Sequence, residues 1–296
     1  MREPGCGGLA RVPAALALLS SLLWGVADFV GGLASRRSTP IRTLAITMPA
    51  GLVAILPVAL VVGGEGGDVG IGIVAGVCGA LGILALYAAL TAGPMGVVSP
   101  VAAVISAAIP VVVGLARGER PGAAAYVGMV LAVAAIVLVG LEPSAPTDDE
   151  RHQRVTPQAL AFAAAAGVAI GGFYVALALA PQDAGMWPVA YARATSTVLL
   201  VVLAVVLARR ARGPVLPVEP QVRLLAAAAG VIDVVANALY LAATRVGLLS
   251  IVSVLGALYP ATTVLLARFV LAERLRASQK AGMGLALAAT ALLALG

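Results

Sequence analysis

The chain has 296 residues, 61% of them hydrophobic and 11% charged, with a formal net charge of +6 and a mean hydropathy of +1.07. A soluble domain carries about 25% charged residues and about 45–50% apolar ones, so lipid must be the solvent for most of this chain. That excludes a cytosolic enzyme, a secreted domain, a nucleic-acid reader and a disordered tail. The basic residues lie mostly in short loops, where they hold a loop on the cytoplasmic face and meet anionic headgroups.

A membrane helix needs roughly 20 mostly apolar residues. In chain order the predicted spans are 13–34, 43–63, 70–92, 97–116, 122–141, 157–180, 187–208, 222–243, 249–270 and 278–296. Breakers separate them. Examples are Arg36-Arg37-Ser38-Thr39-Pro40, the glycine-rich run Gly63 to Asp68, Gly93-Pro94, and Pro181 to Gly185. The first span is too long for the apolar region of a cleaved leader, and it contains Trp24 and Asp28. The longest polar stretch, 142–156, reads as a linker between two halves. Cys6 and Cys78 make no metal spacing, and the one histidine, His152, lies in that linker, so no cofactor or metal is expected.

The two halves are related. At an offset of 154 residues, Glu119-Arg120 falls on Glu273-Arg274 and Gly128-Met129 on Gly282-Met283. Leu131, Ala132, Ala134, Ala135 and Leu138 fall on Leu285, Ala286, Ala288, Ala289 and Leu292. Each unit then has five spans: 1–141 is the first repeat, 142–156 the linker and 157–296 the second repeat. Five is odd, so the second repeat enters the membrane from the opposite side. The expected fold is all-α and integral to the membrane, with ten transmembrane helices in two inverted five-helix repeats. Alternating-access transporters use this architecture, with a site near the midplane between the repeats. The competing reading is a non-transporting membrane scaffold. Loops after spans one, five, seven and nine carry twelve basic residues against five on the other face, which favours both termini outside.

The ten spans, the two repeats, and the Gly118-Glu119-Arg120 and Ala272-Glu273-Arg274 signatures resemble the EamA-domain members of the drug/metabolite transporter superfamily. Leu23-Trp24-Gly25-Val26-Ala27-Asp28-Phe29 resembles the Trp-Gly start of that domain, and Tyr259-Pro260 the proline of its fourth repeat helix. The second half has Gly171-Gly172-Phe173 where a Trp-Gly pair would stand, and Pro110 lies only nine residues before Glu119. The resemblance implies ten helices around a central cavity, the last helix of each repeat peripheral. It implies export or exchange of small metabolites such as amino acids, related compounds or drugs, in the cell membrane. It also implies cytoplasmic termini, against the charge count.

Ionisable groups inside spans cost about 2.5–3.5 kcal/mol at a helix centre on insertion scales, so each needs a reason. Asp233 is followed by Asn237 and Tyr240 on the same helix face. That stripe contacts a proton or a substrate, or it is a structural network that fixes packing. Asp28 shares a face with Trp24; it binds a cation or a proton, or it pairs locally with Arg36 or Arg37. Arg193 holds a substrate carboxylate, or pairs with Asp233 or Asp28. Arg268, near a span end, can snorkel. Glu119 and Glu273 read as interfacial groups that set loop geometry. Tyr87, Tyr174 and Tyr191 are cavity or interface residues. Gly72, Gly76, Gly79 and Gly82 give one span a small-residue face, as Gly167 and Gly171 do another. Gly63 to Gly70 lacks the Lys-Ser or Lys-Thr of a phosphate loop, so coupling would come from protons or another gradient rather than ATP. An intramembrane aspartyl protease built on Asp28 and Asp233 is disfavoured because neither acid stands in a Gly-x-Gly-Asp element. The expected partners are the lipid bilayer and a small molecule, with no nucleic acid and a monomer as default.

Overall fold

The computed structural model describes residues 11–66, 68–93, 95–140, 155–212, 214–216, 219–270 and 276–295. Arg2, Cys6, His152, the linker up to residue 154 and Ala272-Glu273-Arg274 lie outside these. Among the described residues there is no strand. Ten helical segments of 18 to 27 residues are long and apolar enough to cross a membrane. They are built from α1 (Arg11–Arg36), α2 (Pro40–Val62), α3 (Val69–Ala92), α4 (Met95–Ala116), α5 (Ala123–Gly140), α6 (Pro157–Ala178), α7 (Trp187–Ala211), α8 (Pro220–Val246), α9 (Leu249–Gly256), α10 (Tyr259–Val270) and α11 (Ala277–Leu295).

In lipid, backbone amides must bond within the protein, so helix starts carry caps. Thr39 accepts from Arg42 N ahead of Pro40, and Thr156 accepts from Ala159 N ahead of Pro157. Each proline sits in the first turn, where no intrahelical partner for its missing N–H is needed. Asp68 caps α3 through Gly70 N at 2.7 Å.

One predicted element differs. The span 249–270 crosses the membrane as two helices, α9 and α10, with Ala257 and Leu258 in a turn between them. Pro260 has no N–H to donate to the Gly256 carbonyl four residues back, so the ladder stops there. Discontinuous helices of this kind line sites in inverted-repeat transporters.

The packing is pseudo-symmetric. α1 lies on α8 as α6 lies on α3, α2 packs on α8 as α7 packs on α3, and α5 pairs with α11. Glycines at equivalent positions report the relation directly. A Cβ on Gly128 would stand 2.9 Å from Leu293 and 3.2 Å from Ala289 O; one on Gly282 would stand 2.8 Å from Val139 and 3.0 Å from Ala135 O. Both glycines let α5 and α11 meet backbone to backbone. Likewise Gly76 faces Ala192 O while Gly230 faces Thr47 O. The buried core is rich in alanine, because helices in lipid gain by close approach rather than by hiding apolar surface from water.

Candidate functional site

The helices enclose a cavity of about 970 Å³. Its rim is formed by Arg36 at the end of α1, Leu90 late in α3, Pro100 early in α4, Gly140 at the end of α5, and Arg276 and Gln279 beside the start of α11. All of these lie toward the face of the odd-numbered loops, the face opposite the termini. The cavity runs from there to mid-membrane, where Asp28, Arg193, Asp233 and Asn237 line it.

The opposite end is shut by specific contacts. Glu65 N donates to Asp183 O at 3.2 Å, joining the loop after α2 to the loop after α6. Gly64 and Gly185, both with positive φ, let those two loops touch. Arg245 donates to Pro181 O and, at 2.6 Å, to Gly185 O. Glu119 accepts from Leu249 N at 2.6 Å and Ser250 N at 2.9 Å. A carboxylate there satisfies two amides at the start of α9 and complements the positive end of the helix dipole. Glu119 thus ties the first repeat to the broken helix of the second.

At mid-membrane, Arg193 pairs with Asp233, their side chains 8% and 28% exposed. A second guanidinium nitrogen, Nη1, lies 2.9 Å from Met48 Sδ. Asn237 Nδ2 donates to Asp233 O at 2.8 Å and to Asp233 Oδ2 at 3.1 Å. Those two acceptors fix the amide orientation, because a flip would put oxygen against oxygen. Asn237 Oδ1 is then left buried without a partner among the described residues. Asp28 is accessible to the cavity despite its depth. Among the described residues it has no hydrogen bond or ion pair, although Tyr87, Tyr174, Tyr259 and Asp233 line the same cavity.

Below the cavity, Trp24, Tyr174 and Tyr240 form a cluster with ring centroids 5.1 to 5.5 Å apart. Tyr240 is fully buried and shares a 2.7 Å hydrogen bond with Ser253 Oγ of α9. Trp24 and Tyr174 reach the cavity, whereas Tyr240 lies beneath it and does not line it. Tyr191 stacks on Trp187 and is also absent from the lining. Of the arginines beside Asp28, Arg37 donates to Gln221 instead.

A model of the EamA-like transporter family matches residues 12–141 and again residues 157–295. The chain belongs to the EamA-like transporter family. One solved crystal structure superposes on this EamA-like chain with a TM-score of 0.73 and 18% identity, covering 96% of this chain and 98% of the other. At that identity the likeness carries the fold alone. No curated protein matches this chain closely enough to lend it a function.

Several contacts of the cavity and of its closed end are not legible in this EamA-like sequence. Met48 was an ordinary apolar residue of a span, yet it is the contact that fills the second side of Arg193. Tyr259 stood out only beside Pro260, and the helix break turns it into the cavity. The position of Glu119 at a span end predicts a loop-setting residue; its carboxylate reaches instead to the other repeat. A sequence signal existed for that last case, since a Glu preserved across an internal repeat at a span end has a reason to be acidic.

Proposed function

We propose that this protein is a secondary-active transporter, an exporter of small metabolites or drugs, that works by alternating access around the central cavity. The observation that carries the reading is the one-sided cavity: it reaches mid-membrane from one face and is closed from the other by contacts between the two repeats, Glu65 to Asp183 and Glu119 to Leu249 and Ser250. Inverted repeats give two related packings in which opposite faces open. A solute that enters from the odd-loop face meets the charged residues at the closed end, and release on the other face requires the Glu119 contacts and the Glu65–Asp183 contact to part. With the arginine-rich loops cytoplasmic, the open face loads solute from the cell interior, the direction an exporter needs. In this reading Asp28, Trp24, Arg193, Asp233 and Asn237 serve substrate binding or coupling at the cavity, while Tyr240 holds Trp24 in place from below. Protons or another ion gradient supply the energy, and the protein works as a monomer in the cell membrane.

Counterflow in proteoliposomes tests the transport reading. Preloaded solute should accelerate uptake of labelled solute, and a folded protein with no flux of any solute or ion would end it. A reporter fused to the C-terminus decides the loading face. An external reporter matches the cytoplasmic placement of the arginine-rich loops, and a cytoplasmic one reverses the direction proposed here.

A further inference from the structure

We propose that the closed end of the cavity is a binding site for an organic ammonium group, and that the substrates of this transporter are amines carrying an apolar or aromatic body. The inference deepens the transport reading and rests on it for the purpose of the site. Its physical basis is separate.

Three observations converge. First, the negative charge at the cavity floor is not matched. Asp233 is neutralised by Arg193, and Arg193 is occupied on its other side by Met48, so the guanidinium is not presented to a substrate carboxylate. Asp28 has no such partner among the described residues, and it is reached from the cavity. A carboxylate at membrane depth is costly unless something cationic or donating meets it. Second, another unpaired polar atom among the lining residues is also an acceptor. Asn237 Oδ1 is buried without a partner on a residue that lines the same cavity. Asp28 is the acceptor open to the cavity, and it calls for a ligand rich in donors; an ammonium offers up to three. Third, the surroundings of Asp28 are aromatic. Tyr87, Tyr174 and Tyr259 line the same cavity as Asp28, and Trp24 and Phe173 complete the wall. Aromatic faces attract cations through their quadrupole and give an apolar body a surface to lie on.

The remaining charges of the lining, Arg36 and Arg276, sit at the rim and are exposed. Arg36 is eight residues along α1 from Asp28, about 12 Å of helix. There water and lipid phosphates screen it, so it does not compete with the floor.

The test is isothermal titration of the full chain in lipid nanodiscs with three probes of one shape: phenethylamine as its ammonium, neutral 2-phenylethanol, and 3-phenylpropionate as its anion. The ammonium should bind most tightly and the anion not at all. Asp28→Asn should weaken the ammonium by about tenfold or more, the loss expected of one charge-assisted contact, and leave 2-phenylethanol unchanged. Asp28→Glu should keep the preference. Equal binding of the ammonium and the alcohol to the wild-type protein overturns the proposal, as does tighter binding of the anion or no binding by any probe. If Asp28→Asn does not fold, the wild-type order and Asp28→Glu still decide. The two readings fail separately. Asp28-dependent ammonium binding without flux removes transport and leaves the site, whereas flux of anionic or neutral solutes that ignores Asp28→Asn removes the site and leaves transport.

Discussion

The two repeats share one packing scheme and differ in chemistry at one matched set of positions. Gly76 meets Ala192 O and Gly230 meets Thr47 O, so the residues that follow those carbonyls, Arg193 and Met48, are equivalents. At the same spacing of 154 residues, Asp233 is the equivalent of Gly79. The second repeat therefore places an ion pair where the first has a thioether and a glycine, and Arg193 reaches across to touch its own counterpart. Duplication supplies a symmetric cavity; a few substitutions in one copy give it polarity. The break in span nine is the same lesson in the backbone, since α4 contains Pro100 and Pro110 and still runs as one helix. The binding surface is asymmetric although the scaffold is not.

The largest expected effect comes from making the second repeat resemble the first. Arg193→Met leaves Asp233 without its cation, and breaking a buried pair from one side costs about 3–5 kcal/mol. The melting temperature in detergent should fall sharply. Adding Asp233→Ala removes the orphaned charge and should recover most of the loss. A double variant as unstable as the single one would mean that the pair's value lies in its packing rather than in its charge balance.

Next come the matched glycines. Gly128→Ala and Gly282→Ala each push a methyl into the facing helix, at 2.9 Å from Leu293 and 2.8 Å from Val139 respectively. Overpacking costs about 1–3 kcal/mol, and the two variants should lose similar amounts by thermal unfolding. A large difference would show that the α5–α11 contact is not two-fold in energy.

Glu119→Ala removes the acceptor for two amides at the start of α9, worth about 1–2 kcal/mol by analogy with lost caps. The closed face should loosen. Ser250→Cys, at a buried position, in a background with both Cys6→Ser and Cys78→Ser should gain reactivity toward a membrane-impermeant maleimide, and Glu119→Gln should restore part of the protection. Unchanged labelling would leave closure to the Arg245 contacts.

The smallest effect is expected from Tyr240→Phe. It keeps the ring against Trp24 and Tyr174 and loses the hydroxyl's contact with Ser253 and its long 3.5 Å bond to Tyr174 O, about 0.5–1.5 kcal/mol for the stronger of the two. Flux should persist. A complete loss of flux would give the hydroxyl a role in the cycle itself.

Much of the fold was legible because lipid imposes one solution on an apolar run of about 20 residues. The spans followed from hydropathy, and inversion followed from the odd number of spans per repeat. The glycine face of α3 was legible too: Gly76 and Gly82 stand against α7 and α6, as small residues at helical spacing imply. The candidate site was legible as a short list, since Asp28, Arg193 and Asp233 are costly where they stand. Their pairing was not. Three charged residues admit several partnerships, and the sequence holds no term for the distance between helices that are 40 residues apart in the chain, as Arg193 and Asp233 are.

By itself, then, the sequence determined the solvent, the number of spans, the inverted repeat and which charges needed an explanation, because each of these depends on local composition and periodicity. Only the tertiary structure decided that Arg193 belongs to Asp233, that Asp28 stands before the cavity without a partner among the described residues, that Tyr240 supports the floor from below, and which face is open. Those facts depend on which helix faces meet, and that is set by packing between segments that carry no record of one another along the chain.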